Sequence, residues 1–169
     1  MPAHARRLPF VKMNGLGNDF LVVDLPKHPD WEPILSEPLL VRRICDRHRG
    51  VGADGILAVR KAQSDGPVAT MHVHNADGSM AEMCGNGLRC VARYVLERDR
   101  EPLGWGSAPP LLTIDTGAGP LACSLALSPA GDVESVEIEM GRPTLRSPEP
   151  VTLSAQDSLL TLQLVSMGN

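Results

Sequence analysis

Along most of this chain apolar and polar positions alternate with the short period of strands, and a helical period intervenes twice. Residues 8–13 and 20–25 are apolar runs separated by Asn14-Gly15-Leu16-Gly17-Asn18, which predicts a strand, a tight loop and a strand. Ser36 is then expected to cap a short helix that has Pro38 in its first turn and Leu40, Val41, Ile44 and Cys45 on one face. The glycine-rich, charged stretch 46–55 reads as a loop and 56–59 as a strand. In 68–74, Ala69, Met71 and Val73 alternate with Thr70, His72 and His74, the pattern of a strand with one buried face, and Asn75-Ala76-Asp77-Gly78 forms a turn.

The period lengthens between 88 and 96. Leu88, Val91, Ala92, Val95 and Leu96 make one apolar stripe of an amphipathic helix, with Arg89, Arg93 and Glu97 off it. After a Pro/Gly loop, 111–114 and 121–127 flank the turn Thr116-Gly117-Ala118-Gly119 and predict a hairpin. Val136, Ile138 and Met140 alternate with Glu137 and Glu139 in a further strand. Pro143, Pro148 and Pro150 mark an exposed connection before a last strand at 161–165. Seven or eight strands joined mostly by short turns, with two helices, give an α+β fold with a largely antiparallel sheet. Residues 1–7 are basic, lack a following apolar stretch and are expected to be a disordered leader. Val165-Ser166-Met167-Gly168-Asn169 breaks off at a turn signal, so truncation is expected at least as readily as a natural end.

Composition narrows the function classes. The chain has 169 residues, enough for one domain with a real core, and aromatic residues make up only 3%, so Leu, Val, Ile, Met and Ala must fill that core. A net charge of -4 without a basic stripe argues against nucleic-acid binding. No run of about 18 apolar residues exists, which argues against a membrane span, and a cytoplasmic location is the expectation. The cysteines are Cys45, Cys84, Cys90 and Cys123. They form no C-x-x-C pair, and reduced thiols are expected.

One thiol stands apart. In Met83-Cys84-Gly85-Asn86-Gly87-Leu88-Arg89-Cys90, Cys84 lies immediately before the predicted helix. Backbone N–H groups at a helix start lack intrahelical acceptors, and the helix dipole leaves partial positive charge there; both favour a thiolate. Gly85 and Gly87 keep side chains away from the sulfur, so a carboxylate or ammonium group has access to the backbone. A buried cysteine in a glycine-rich turn is the alternative reading from spacing alone.

Three blocks resemble the diaminopimelate epimerase family: Phe10-Val11-Lys12-Met13-Asn14-Gly15-Leu16-Gly17-Asn18-Asp19-Phe20, Asp46-Arg47-His48-Arg49-Gly50-Val51-Gly52-Ala53-Asp54-Gly55, and Asn75 through Cys90. They occur in the family's order and spacing, and Ser166-Met167-Gly168-Asn169 resembles the start of a fourth. The resemblance implies one of two pseudo-symmetric α+β domains, each with strands wrapped around a central helix and with substrate between them. On that basis residues 8–165 form the N-terminal domain and 166–169 begin the crossover to a missing C-terminal one. It also implies cofactor-independent, metal-free epimerisation of LL-2,6-diaminopimelate to the meso form, a step toward lysine and peptidoglycan precursors. Two thiols face opposite sides of the α-carbon in such enzymes. Cys84 matches the N-terminal member, the usual proton donor in the LL-to-meso direction, and the matching base falls beyond Asn169. The substrate contacts implied are Asn18, Asn75, Gly85, Asn86 and Asn169, and the family's habit implies a homodimer. Some members carry Gln where this chain has Gly55, which puts that contact in doubt.

Other readings are weaker. Proline racemase-like enzymes use a cysteine pair, but usually have His where this chain has Asn86 and lack the Gly17-Asn18-Asp19-Phe20 loop. A non-catalytic amino-acid-binding domain fits a chain that is naturally this short. His72 and His74 share a strand face as a conceivable zinc pair without an evident third ligand. Cys45, Cys90 and Cys123 read as structural. Asp77 reads as turn chemistry, Lys12 and Asp19 as structural, and Asp46, Arg47 and Arg49 as a solvated or loop-bracing charge cluster.

Overall fold

The computed structural model describes residues 7–99, 110–155 and 158–166. The leader up to residue 6, the Pro/Gly loop at 100–109 and Asn169 lie outside the described residues. Two apolar runs around Leu16-Gly17 become β1 (Val11–Gly15) and β2 (Asn18–Asp24), an antiparallel hairpin in which Gly15 pairs with Asn18. Its two-residue turn requires left-handed backbone, and Leu16 (φ 51°) and Gly17 (φ 98°) both adopt it. The first strand therefore runs later than the apolar residues 8–13 predict, because the turn sets the register.

After β2 come a single 3-10 turn at Pro29–Trp31, a one-turn helix α1 (Glu32–Leu35) and α2 (Pro38–Cys45). Ser36 does not cap α2. As the C-cap of α1 its hydroxyl donates to the carbonyl of Glu32, the first residue of that helix, and Glu37 takes the α2 cap position without a side-chain bond. The chain returns as β3 (Gly55–Arg60), parallel to β2, then β4 (Ala69–Asn75) and the short β5 (Met80–Ala81). Helix α3 (Gly85–Arg98) follows, and then β6 (Leu111–Thr116), parallel to β4, β7 (Gly119–Leu127) and β8 (Val133–Ile138). The sheet order is β1-β2-β3-β4-β6-β7-β8, with β5 beside β4. It is largely antiparallel, as the short turns predict. The two parallel pairs occur where helices carry the chain across.

The sheet curls around α3, which packs on β1, β2, β3, β4, β7 and β8. Leu88, Val91, Ala92, Val95 and Leu96, the stripe read from the sequence, are buried against Phe20, Val22, Leu57, Met71, Val73, Leu112, Ile114 and Leu125. Truncating one of these large side chains to Ala costs about 2–5 kcal/mol. A buried carboxylate ties the far end of the helix to β2: Asp24 accepts from the Tyr94 hydroxyl (3.0 Å) and from Arg98 (3.2 Å). The opposite face of β2 and β3 is covered by Trp31, Leu35, Val41 and Cys45. The second face of β4 is thus less open than simple alternation implies, with Thr70 and His74 both buried.

Beyond Ile138 the strands leave this sheet. β9 (Thr144–Leu145) pairs with β12 (Val165–Ser166), and β10 (Val151–Ala155) pairs with β11 (Ser158–Leu162) in a separate hairpin. The proline-marked connection therefore contains strands, and the strand expected at 161–165 is divided between β11 and β12. Leu153, Leu159, Leu160 and Leu162 on the hairpin are exposed.

Candidate functional site

Helix α3 begins one residue after Cys84, and Cys84 is its N-cap, in extended backbone. The Gly87 N–H donates to Cys84 Sγ at 3.4 Å, satisfying one of the orphan donors of the first turn with a sulfur rather than the usual oxygen. A Cβ at Gly87 would lie 2.8 Å from a Leu57 methyl group, so the Leu57 side chain would have to move to admit one. Gly85 is freer, because its Cβ would make only ordinary contact with the Met140 sulfur at 3.5 Å. Of the two glycines flanking Asn86 in the first turn of α3, Gly87 is thus the more tightly packed.

The other thiols are buried. Burial pushes Cys45, Cys90 and Cys123 each up to about 11, so they stay protonated at neutral pH. Cys84 is half-exposed, which singles it out among the four.

Strand register gathers the amides. Phe20, Gly55 and Asn75 form one row across β2, β3 and β4, which brings the ends of the first two sequence blocks beside the start of the third. Asn86 Nδ2 donates to Asn18 Oδ1 (2.9 Å), and Asn18 Nδ2 donates to Asp54 Oδ2 (3.1 Å). Arg89 donates to Asn86 Oδ1 (3.2 Å). On the other side, Arg47 reaches Asp54 (2.7 Å) and grips both oxygens of Asp19, whose carboxylate also pairs with Lys12 at 3.0 Å. Hydrogen bonding from Arg47 holds Asp19 well below the usual carboxylate range against the opposing effect of burial, and Lys12 adds to it. For Asp54, burial opposes ionisation, but bonds from Asn18, the Asp19 N–H and Arg47 outweigh it and lower its titration.

Asn75 lies in the same row but is held differently. Its Nδ2 donates to Ser79 Oγ (3.0 Å), and that hydroxyl donates to Asp77 Oδ1 (2.6 Å). Asp77 also accepts the Ser79 N–H, the turn role read from the sequence. Gly55 leaves no room for a side chain without a backbone shift. A Cβ there would sit 2.6 Å from the His74 carbonyl oxygen, so β3 would have to shift first.

The structure thus brings Asn18 and Asn86 into contact beside Cys84 and sets Asn75 nearby in register. Asp54 and Arg89, which the sequence reading assigned no role, join the amides. Of the two readings given for the charge cluster, loop-bracing holds for Arg47, which bonds Asp19 and Asp54, and for Asp46, which accepts from the His48 and Arg49 N–H groups (2.7 and 2.9 Å). The only signal for Asp54 was its place in the same block as Arg47; nothing in the spacing tells that this loop folds back onto Asn18. Among the described residues His74 Nε2 is buried without a hydrogen-bond partner, and no group of three or more His, Cys, Asp and Glu capable of holding a metal occurs. Two sizeable hollows, about 790 Å³ beside α2 and about 540 Å³ between β1 and β8, are not lined by Cys84. Among the described residues no helix is long and apolar enough to cross a membrane.

A curled sheet around one helix defines the class by fold. Two solved structures share it: a hydroxyproline epimerase from Agrobacterium vitis with bound trans-4-hydroxy-L-proline, and a probable proline racemase from Agrobacterium radiobacter. Each has a TM-score of 0.68 and covers 92% of this chain and 48% of its own, at 13% and 16% identity. The chain belongs to the diaminopimelate epimerase family, whose profile matches residues 10–145. It is 38% identical to the diaminopimelate epimerase of Heliobacterium modesticaldum over 95% of this chain and 58% of that protein. Against the enzyme of Desulfitobacterium hafniense it is 40% identical over 94% and 56%. The chain therefore spans somewhat more than half the length of these curated relatives.

Proposed function

We propose that this chain supplies one half of the active site of a diaminopimelate epimerase that works without a cofactor, with Cys84 as one of two acid–base thiols. The observation that carries the reading is the placement of Cys84: half-exposed, capping α3, receiving the Gly87 N–H, and flanked by the Asn18–Asn86 pair. A thiol on one face of the substrate α-carbon and a thiolate on the other suffice for inversion. The thiolate sulfur takes the α-proton as the C–H bond breaks, the electron pair spreads into the adjacent carboxylate, and the opposite thiol protonates the carbon on its other face. Cys84 serves as the donor in the LL-to-meso direction, and the second thiol comes from the part of the relatives' length that this chain does not span.

Amides suit the binding task. Asn18, Asn75, Asn86 and Asn169, with the Gly85 backbone, offer donors and acceptors to a zwitterion without introducing a competing base. The complete protein would act in the cytoplasm, as a homodimer, on a free amino acid. The test is incubation of the complete protein with LL-diaminopimelate in deuterium oxide. Appearance of the meso isomer with deuterium at the inverted carbon supports the reading, and retention of configuration with no exchange overturns it.

A further inference from the structure

The pair Asn18–Asn86 is bracketed by two groups of fixed polarity. At one end stands Asp54, an ionised carboxylate that can only accept; at the other stands Arg89, a guanidinium that can only donate. A side-chain amide alone has two nearly isoenergetic orientations, with oxygen and nitrogen exchanged. Here the carboxylate takes the Asn18 N–H, which turns Asn18 Oδ1 toward Asn86; Asn86 Nδ2 fills that acceptor, which turns Asn86 Oδ1 toward Arg89. Each bond fixes the next, so one charged group at the β3 start determines which atoms of both amides remain for a ligand.

Asp54 is itself anchored. Its Oδ2 also accepts the Asp19 N–H at 3.0 Å, its own backbone N–H donates to the Asp19 carbonyl at 2.8 Å, and Arg47 joins its Oδ1 to Asp19. The loop carrying Arg47 and Asp54 is thereby fastened to the start of β2, the strand end that carries Asn18.

We propose that Asp54, held by Arg47, is a positioning residue that sets the donor and acceptor polarity of Asn18, and through it Asn86, toward the substrate zwitterion. This rests on the reading of Asn18 and Asn86 as substrate contacts. Asp54 touches no reacting atom. It acts by removing the flipped orientation of Asn18, in which an oxygen would face the carboxylate and a donor would face the Asn86 N–H.

The experiment uses the complete protein and begins with the parent enzyme on LL-diaminopimelate. A parent that neither inverts nor exchanges the α-hydrogen removes the functional reading, and this inference falls with it. With an active parent, Asp54→Asn keeps the shape but makes the Asn18 neighbour ambivalent. KM should rise about tenfold to a hundredfold while kcat changes less than about threefold, the mark of binding lost equally in ground and transition states. In an Asn18→Ala background the same substitution should add less than about twofold, because its effect passes through Asn18. A fall in kcat at unchanged KM, or effects that multiply fully in the double variant, assign Asp54 a purely structural role and overturn the proposal. Should Asp54→Asn fail to fold by circular dichroism, Arg47→Lys carries the same test. It withdraws the forked contact while keeping the charge, and should raise KM non-additively with Asn18→Ala; an unchanged KM overturns the proposal.

Discussion

Gly15 lies so close to the first turn of α3 that a Cβ added to it would sit 2.5 Å from the backbone carbonyl oxygen of Asn86. The β1–β2 hairpin is therefore seated directly on the helix start that presents Cys84, and backbone contact without an intervening side chain sets the spacing. Gly15→Ala should force the two apart. The expected loss of stability is about 1–3 kcal/mol by overpacking, and the complete enzyme should lose at least about tenfold in kcat/KM as Asn86 moves. Urea unfolding and steady-state kinetics check both numbers; a variant matching the parent in both would mean that the contact is slack.

Cys84→Ser should leave the fold intact, since serine is a favoured helix N-cap and can accept the Gly87 N–H in place of the sulfur. Epimerisation should fall by about 10²–10⁴-fold, because a serine hydroxyl is far too weak an acid to exchange a proton near neutral pH. The measurement pairs circular dichroism with α-hydrogen exchange. Activity within tenfold of the parent would remove Cys84 from the chemistry.

The thiols should separate by reactivity. At pH 8 a group that titrates at about 11 is thiolate in roughly one molecule in a thousand, and Cys45, Cys90 and Cys123 are also shielded from reagent. Iodoacetamide at pH 8 should therefore label Cys84 first, and peptide mapping by mass spectrometry reads the order. Prior labelling at Cys90 would contradict the burial described for α3.

The Asp19–Arg47–Asp54 cluster should shape the acid limb of the stability curve. Both carboxylates titrate below the ordinary value of 3.8 in the folded chain, so their contribution is fully present well above that value and fades as pH falls through and below it. Arg47→Gln should destabilise the protein at pH 6, and the gap from the parent should narrow at pH 3. Denaturant midpoints at the two pH values test the sign; a gap that widens in acid would contradict it.

Much of this arrangement is legible in the sequence, for a physical reason. The apolar stripe from Leu88 to Leu96 has one period and one buried face, so periodicity alone places α3 and its core. Cys84 is legible because a helix start is a local event marked by adjacent residues. Parallel pairing of β2 with β3 is not, because a register across more than thirty residues leaves no local trace. Asp54 escapes for the same cause: its bond to Asn18 depends on where a loop lands. The Ser36 expectation failed because α1, too short to show a period, ends at that residue and uses its hydroxyl.

The wrapping of the sheet around α3 also sets an order of events during synthesis. Strands β1 to β4 precede the helix in the chain, but β6, β7 and β8, which supply Leu112, Ile114, Leu125 and Ile138 to its surroundings, all follow it. A growing chain thus carries α3 with part of its apolar circumference uncovered until Ile138 has left the ribosome, an interval on the order of several seconds at ordinary elongation rates. Rare codons between β6 and β8 would lengthen that window, and a chaperone that binds short apolar helices would find its target there rather than at the earlier hairpin.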